Sequence, residues 1–533
     1  MTSKLSAVEG IKADSRFLRG HLAEELENPE PGFSPEGEQL IKLHGFYVQR
    51  DREHKERPPT VMGRGRIAGG RLSAEQYLVW DALADEFGDG TLRITTRQCL
   101  ELHGVTKKDM KPVIQALHRV GVTTQGACGD VVRNVTQAVN PLGRADLALL
   151  DGVADRLSCH FLSRANAYPE LWLEARAQDP ATESEPLMGS SYLPRKFKIA
   201  LTLAGENPVD LFSNDLGLAA TLDGAGHLEG FFVFVGGGQS MAFGNPATFP
   251  QLAELLGWIP EAALLGVVEA LVATFRDHGN RSDRKQARLK FLLWERGLAW
   301  IREEVSNRAG ARFETRPLPP WYSGPCLGWH RRVDGTWALG LSLLSGRIAG
   351  ALKASLRALL QAFPVPTQLT TDQDLILLGI PDQDRSQAET LLAGVELRPS
   401  PLRQRALACV ALPLCSLAIT EAERVLPEVL SELEALLEHH GLADRAPVFR
   451  LTGCPNGCAR PHTAELALIG QGIGKYALYV GGSPGGDRLA FRLAERVPRA
   501  ELGATLEPLF VRWSQEGEPG EAFGDFANRT FRS

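Results

Sequence analysis

Hydrophobic and polar positions follow two rhythms along this chain. Residues 1–60 are polar and dense in charge, ending in Arg50-Asp-Arg-Glu-His-Lys-Glu-Arg57 and then Pro58-Pro59. Mixed charge of this kind reads as an arm or clamp rather than a compact domain. From about residue 61, alternating apolar runs give way repeatedly to stretches with an amphipathic helical stripe, the pattern of strands alternating with helices. One such unit occurs twice. Leu92-Arg-Ile-Thr-Thr-Arg-Gln-Cys-Leu-Glu-Leu-His-Gly-Val105 matches Thr367-Gln-Leu-Thr-Thr-Asp-Gln-Asp-Leu-Ile-Leu-Leu-Gly-Ile380, without a gap, at an offset of 275 residues. Each copy predicts a strand, a polar turn, a second strand and a helix, over Lys107–Val120 in the first and Asp384–Leu392 in the second. A fainter pair follows: Phe231-Phe-Val-Phe-Val-Gly-Gly-Gly238 and Tyr476-Ala-Leu-Tyr-Val-Gly-Gly482. Both are β-rich runs closed by glycines, where a positive φ or a close backbone approach is needed. The period is too long for a solenoid. It describes a duplicated α+β module, with a pseudo-twofold axis and a site between the halves.

Composition narrows the function. Hydrophobic residues are 44% and charged residues 23% of the 533, and the net charge is −6. An acidic chain of this kind argues against bulk nucleic-acid binding, while leaving room for a local basic pocket. No uninterrupted apolar run is long enough for a membrane span, and the N-terminus carries no apolar signal region. Eight cysteines are too few for a disulfide scaffold and fit a reducing compartment, so a cytoplasmic protein is expected. No glycine fingerprint follows a strand in the manner of a dinucleotide site, so the chain is not expected to draw electrons from NADPH by itself.

Four of the cysteines fall as two pairs, Cys409-x5-Cys415 and Cys454-x3-Cys458. The second pair lies in Leu451-Thr-Gly-Cys-Pro-Asn-Gly-Cys-Ala-Arg-Pro461. Two pairs on separate loops can supply the four thiolates of a 4Fe–4S cluster, and amides in a loop bent at Pro455 and Gly457 can stabilise its negative charge. Zinc, which favours closer pairs, and a simple role as small buried hydrophobes remain open at this point. The first half has no thiolate pair and carries cations instead: Arg64 and Arg66, Arg93 and Arg97, Arg133, and Arg195, Lys196 and Lys198. The second copy of the repeat has Gln368 and Asp372 where the first has Arg93 and Arg97. On a strand Lys196 and Lys198 share one face. Two ammonium groups there call for an anion or for solvent.

Taken together, these motifs resemble the sulfite/nitrite reductase hemoproteins, nearly end to end. The resemblance extends to Phe17-Leu-Arg-Gly20, His44-Gly-Phe-Tyr47, Asn166-Ala-Tyr-Pro-Glu-Leu-Trp172, Gly279-Asn-Arg-Ser-Asp-Arg-Lys285 and Phe523-Gly-Asp-Phe526. It implies an α+β fold with ferredoxin-like half-domains at 61–125 and 326–396. It also implies two α/β siroheme- and cluster-binding domains at 126–325 and 397–533, after the arm of 1–60. The implied cofactors are siroheme and a 4Fe–4S cluster. Cys409, Cys415, Cys454 and Cys458 would bind the cluster, and Cys458 would also be the axial ligand of the siroheme iron. Arg93, Arg97, Arg195 and Asn456 would hold siroheme, whereas Arg64, Arg133, Lys196 and Lys198 would grip the substrate. The implied reaction is the six-electron reduction of sulfite to sulfide, with a flavoprotein subunit or ferredoxin as donor. The alternative is a ferredoxin-dependent nitrite reductase, whose members tend to carry Asn at the place of Lys198. Glu101 and Gly129 depart from the amide side chains that relatives have near siroheme, and a carboxylate beside a polyanionic heme needs an explanation.

Overall fold

The computed structural model describes residues 4–532. The duplication is visible as two pairs of five-stranded sheets. In the first half-domain sheet the order is Phe46–Gln49, Thr60–Arg64, Leu100–Val105, Leu92–Ile94 and Arg347–Ile348. In the second it is Gly328–Arg331, Trp337–Leu341, Leu375–Ile380, Thr367–Leu369 and Arg71–Leu72. Each half therefore lends a two-residue strand to the other: Arg347 pairs with Arg93, and Arg71 with Gln368. The sheets cut across the sequence boundaries expected for the halves. The last part of the N-terminal arm is itself a strand of the first sheet.

The crossing is locked symmetrically. Gln98 donates from Nε2 to the carbonyl of Leu369 at 2.8 Å, and its repeat mate Gln373 donates to the carbonyl of Ile94 at 3.1 Å. Both glutamines are buried, so losing either would strand a carbonyl at a cost of about 1–3 kcal/mol. Beside them Gly70 and Gly346 adopt φ of +72° and +71°. A Cβ on Gly70 would sit 2.5 Å from the Leu369 carbonyl, and one on Gly346 would sit 2.3 Å from that of Ile94. Only glycine fits a positive φ against a backbone at that range.

The expected repeat helices form as short 3-10 turns continued by Met110–Arg119 and Arg385–Leu391. Helices Ala74–Glu86 and Gly350–Ala362 pack the two halves together. Ser73 and Gln76 close the start of the first with a capping box, a device that contributes about 1 kcal/mol. Lys353 on the second reaches Asp85 at 2.5 Å and the Asp81 carbonyl at 3.0 Å on the first.

The other two sheets share one topology. Val132–Gln137, Phe197–Leu203 and Leu216–Leu222 run parallel, then Leu228–Val235 and Glu254–Pro260 antiparallel. Ala406–Ala408, Phe449–Thr452 and Leu466–Gly472 repeat the parallel trio, with Lys475–Val480 and Phe491–Pro498 antiparallel. One apolar core is continuous from Leu18 in the arm to Leu392, and a second runs from Leu402 to Ala527. The arm is anchored by Lys12, fully buried, whose Nζ donates to the Leu193 carbonyl at 2.7 Å and pairs with Glu9 at 2.7 Å. It thereby lies over the segment that leads into Lys196. Among the described residues no helix is long and apolar enough to cross a membrane.

Candidate functional site

The cysteine pairs emerge from the carboxyl ends of two neighbouring parallel strands, where loops of α/β sheets gather ligands. Ala408 pairs with Leu451, so Cys409 and the Gly453–Cys454 segment leave side by side. The segment carrying Cys415 folds back over the second loop, with the amides of Ile419 and Thr420 both donating to the Gly453 carbonyl. Gly453 must be glycine there, because a Cβ would lie 2.5 Å from the Thr420 carbonyl.

Three of the four sulfurs receive backbone amides. Gly453 N–H donates to Cys409 Sγ at 3.3 Å, Asn456 N–H to Cys454, and Leu417 and Ala418 N–H to Cys415. Cys458 stands exposed at the crest of its loop, with the preceding Gly457 at φ +62°. Burial, and then the facing Cys458, push the other three thiols up, Cys454 to about 12. Each of these thiols therefore senses Cys458. A single tetrahedral ion would draw sulfurs to about 4 Å apart, and among the described residues no three His, Cys, Asp or Glu side chains converge in that way. Four thiols on two neighbouring loops, three of them receiving backbone amides, suit a cube of iron and sulfide. The residues present fit a 4Fe–4S cluster.

The cations approach Cys458 from the other half. Lys196 and Lys198 lie at the start of Phe197–Leu203, and neither ammonium has a hydrogen-bond or ion-pair partner among the described residues. Burial, then Arg288 and Arg195, pull Lys196 down to about 7, with Cys458 acting in the opposite sense. Burial, then Lys196 and Arg288, depress Lys198 further. A pair of half-buried, unpartnered ammonium groups is expensive unless an anion joins it.

Arg133 donates to the carbonyls of Gly129 and Ala127 and to the hydroxyl of Tyr47, the last at 3.3 Å. Arg64 is held by Glu101, Nε to Oε1 at 3.0 Å. Glu101 stands opposite both Arg64 and Arg93 in the sheet and bridges them, with Arg93 at 3.6 Å. Burial opposes its charge, but Arg64 and His103 outweigh burial and hold it well below the usual carboxylate range. Glu101 is thus a fixed counter-ion for two arginines, which explains a carboxylate at this place.

Arg195 lies 3.6 Å from Asp130 and is partly exposed. Arg97 is turned inward, donating to the Ile199 carbonyl at 2.8 Å, to Asn214 Oδ1 at 2.6 Å and to the Asn134 carbonyl. It clamps the first two parallel strands together. The Asn456 side chain is half-buried on the cysteine loop.

Three participants carried no assigned chemistry in the sequence. Arg288 binds Asp215 with both nitrogens, at 3.0 and 2.7 Å, and Asp215 accepts the Lys198 amide at 2.9 Å. Tyr47, on the arm's strand, places its hydroxyl among Arg64, Arg133 and Arg195. Arg52 donates to the Ala418 carbonyl at 2.6 Å, next to Cys415. Tyr47 was visible in its motif, and Arg288 follows closely on another. Nothing in the charge run 50–57 distinguishes Arg52 from its neighbours.

Comparison with known proteins gives a consistent picture. Residues 54–120 match the nitrite/sulfite reductase ferredoxin-like half domain, and residues 153–313 match the nitrite and sulphite reductase 4Fe-4S domain. The second match falls on the sheet carrying the lysines, the copy without the four cysteines. The chain is 42% identical to the sulfite reductase (NADPH) hemoprotein beta-component of Chromohalobacter salexigens, over 98% of this chain and 94% of that one. It is 42% identical to the protein of that name from Myxococcus xanthus, over 98% and 96%. It is 40% identical to sulfite reductase (ferredoxin) of Synechococcus elongatus, over 99% and 89%. The structure of the Mycobacterium tuberculosis NirA protein superposes with a TM-score of 0.80 at 25% identity, covering 98% of this chain and 96% of that one.

Proposed function

The chain belongs to the sulfite reductase hemoprotein family, and on that premise we propose how its residues divide the work. It is a sulfite reductase. Balanced at neutral pH, hydrogen sulfite takes up six electrons and six protons and leaves as hydrogen sulfide ion and three waters. When bound, siroheme and the 4Fe–4S cluster supply the electron store and the iron atom that receives the sulfur of sulfite.

Cys409, Cys415, Cys454 and Cys458 would hold the cluster, and Cys458, exposed on its loop, would also be the protein ligand of siroheme. Arg93, Arg195 and Asn456 border the macrocycle and meet its carboxylates, while Arg97 fixes the strands beneath. Lys196 and Lys198 bind the oxygens of sulfite, and Arg64 and Arg133 complete the ring of charge. Their placement precedes the substrate: Glu101 aims Arg64, Gly129 and Ala127 aim Arg133, and Asp215 holds both Arg288 and the Lys198 backbone. Donors fixed in advance stabilise charge as it shifts towards a departing oxygen, without reorganising. The lysine ammonium groups hold protons where oxygen leaves as water.

The single observation that carries this reading is the pair Lys196 and Lys198, half-buried at the start of one strand without an anion, with the exposed thiol of the cysteine loop acting on Lys196. Electrons come from a separate protein, a flavoprotein subunit or a ferredoxin, and relatives named for NADPH and for ferredoxin both match. A reducing, cytoplasmic setting agrees with eight free thiols.

The test is sulfite-dependent oxidation of reduced methyl viologen by the holo-protein, with sulfide assayed as product. Siroheme in the spectrum without sulfide formation overturns the enzymatic reading. Cys458→Ser is expected to lose siroheme and cluster together, and retention of both at full occupancy refutes the shared ligand.

A further inference from the structure

We propose that Arg460 is a positioning residue for the sulfur of Cys458, acting through Asp210 across the pseudo-twofold axis and through Asp372 in its own copy. The inference rests on the reading of Cys458 as the shared ligand and adds to it what fixes that sulfur in space.

The two cofactor sheets place equivalent loops after their second parallel strands. Leu201-Thr-Leu-Ala-Gly-Glu-Asn-Pro-Val-Asp210 stands where the other sheet has Leu451-Thr-Gly-Cys-Pro-Asn-Gly-Cys-Ala-Arg460, without a gap. Both loops end on a left-handed residue, Asp210 at φ +47° and Arg460 at φ +57°, which caps a short 3-10 turn. The loops are held by matched bonds. Thr96 donates its hydroxyl to the Cys458 carbonyl at 3.3 Å, and its repeat mate Thr371 donates to the carbonyl of Pro208, the counterpart of Cys458, at 2.6 Å.

Arg460 and Asp210, equivalent in the two loops, bind one another: Nε lies 2.6 Å from Oδ2. The same guanidinium donates to Asp372 Oδ1 and to the Thr371 carbonyl, both at 3.0 Å. Asp372 stands in the second copy where the first has Arg97, and Asp210 stands where the cluster loop has Arg460 itself. The copy without the four cysteines thus supplies one carboxylate, Asp210, to the loop of the copy that carries them, and that copy's own repeat block supplies the other, Asp372.

The position of Arg460 gives this its consequence. Only Ala459 separates it from Cys458, too little chain to absorb a shift in one without moving the other. Cys458 is otherwise exposed, and Gly457 before it resists nothing. The loop is tied at Pro455, whose carbonyl accepts from the Met241 amide at 2.9 Å, and nearer the sulfur by the Thr96 hydroxyl on the carbonyl of Cys458 and by the Arg460 guanidinium, which pairs with Asp210 and donates to Asp372 and the Thr371 carbonyl. A planar guanidinium bridging such a set fixes direction as well as distance. An apolar residue would serve the fold equally well at lower desolvation cost, so the ionic tie is better explained by aim than by stability.

The experiment compares purified holo-protein carrying Arg460→Gln, Arg460→Lys, Asp210→Asn or Asp372→Asn with the parent. Iron, acid-labile sulfide and siroheme per chain are expected to stay near parental values. The visible charge-transfer bands and the electron paramagnetic resonance g-values of the oxidised siroheme are expected to shift. The kcat for sulfite is expected to fall about tenfold while KM stays within about twofold, as for a reacting centre displaced by a fraction of an ångström. Arg460→Lys is expected to fall between Arg460→Gln and the parent. Parental spectra and parental kcat per bound siroheme in these variants would overturn the inference, even if thermal stability dropped. Should Arg460→Gln fail to fold, the two aspartate variants decide on the same spectra. Cys458→Ser separates the two claims: if it loses both centres while the Arg460 and aspartate variants are silent, only the positioning role fails.

Discussion

Arg64 donates from Nε to Oε1 of Glu101 at 3.0 Å, so one of the cations proposed to bind substrate is already committed to a carboxylate before any ligand arrives. The same carboxylate lies 3.6 Å from Arg93. Replacing it with an amide would leave the nearly buried Arg64 without its carboxylate and Arg93 with Glu423 alone, at 3.3 Å. Glu101→Gln is expected to lose about 3 kcal/mol of stability, the scale of a broken buried pair. It would also raise the positive potential of the pocket. KM for sulfite should therefore fall, while kcat falls too because Arg64 is no longer aimed. Steady-state kinetics and a denaturant titration check both, and an unchanged KM would show that Glu101 does not set the charge seen by substrate.

Lys198 sits two residues from Lys196, and the Lys196 ammonium helps to hold Lys198 below its usual range. A substrate with three oxygens can meet both ammonium groups and relieves that repulsion more than two-oxygen nitrite does. Lys198→Asn should reduce kcat/KM for sulfite about tenfold more than for nitrite, one tenfold step being about 1.4 kcal/mol of transition-state binding. Equal losses on the two substrates would remove Lys198 from any role in selectivity.

Asp130 joins the arm to the pocket. Lys12 and Arg284 overcome the effect of burial and bring its carboxyl down to about 2, with Arg195 also at hand. A carboxylate whose folded value is depressed contributes stability above its unfolded value, and loses it as pH falls towards the folded one. About 2 kcal/mol should therefore disappear between roughly pH 4 and pH 2. In Asp130→Asn that acid-dependent portion should be missing, and proteolysis within residues 4–40 should become faster. Parallel acid-unfolding curves for parent and variant would contradict this.

Thr96 and Thr371 are repeat mates with equivalent bonds, yet only Thr96 ties the loop with the cysteines. Thr96→Val should shift the siroheme–cluster spectrum, and Thr371→Val should leave it unchanged at a similar cost in stability of about 1 kcal/mol. Matching spectral changes in both would mean that the two loops are coupled more tightly than their separate anchors imply.

Much of this molecule was legible in residue order. The repeat of Leu92–Val105 in Thr367–Ile380 announced the paired half-domains, because Thr, Gln and Gly at fixed places each make a bond or turn the symmetry requires. The cysteine loop was legible because Pro, Asn and Gly between thiols have no reason to be in a hydrophobic core. The strand exchange was not. Arg71–Leu72 and Arg347–Ile348 are two residues long, too short to show a period. The likeness of 201–210 to 451–460 was also hidden, since the loops share Leu-Thr and little else, and only their backbone paths coincide. The inward turn of Arg97 depends on carbonyls of strands that sequence cannot place side by side. The role of Glu101 followed from register, which puts it between Arg64 and Arg93.

The borrowed strands have a bearing on how such a chain can be divided. Severed between 325 and 326, each fragment would keep one sheet lacking its outermost ribbon and would present the ribbon its partner lacks. The pieces are complementary halves, not autonomous units, and they regain a complete hydrogen-bonding pattern only when they meet. A progenitor with a single copy of the module faces the same arithmetic: it closes its sheets only as a twofold pair of identical chains, each reaching into the other. Fusion into one polypeptide then lets the first copy do without the thiols that the second carries.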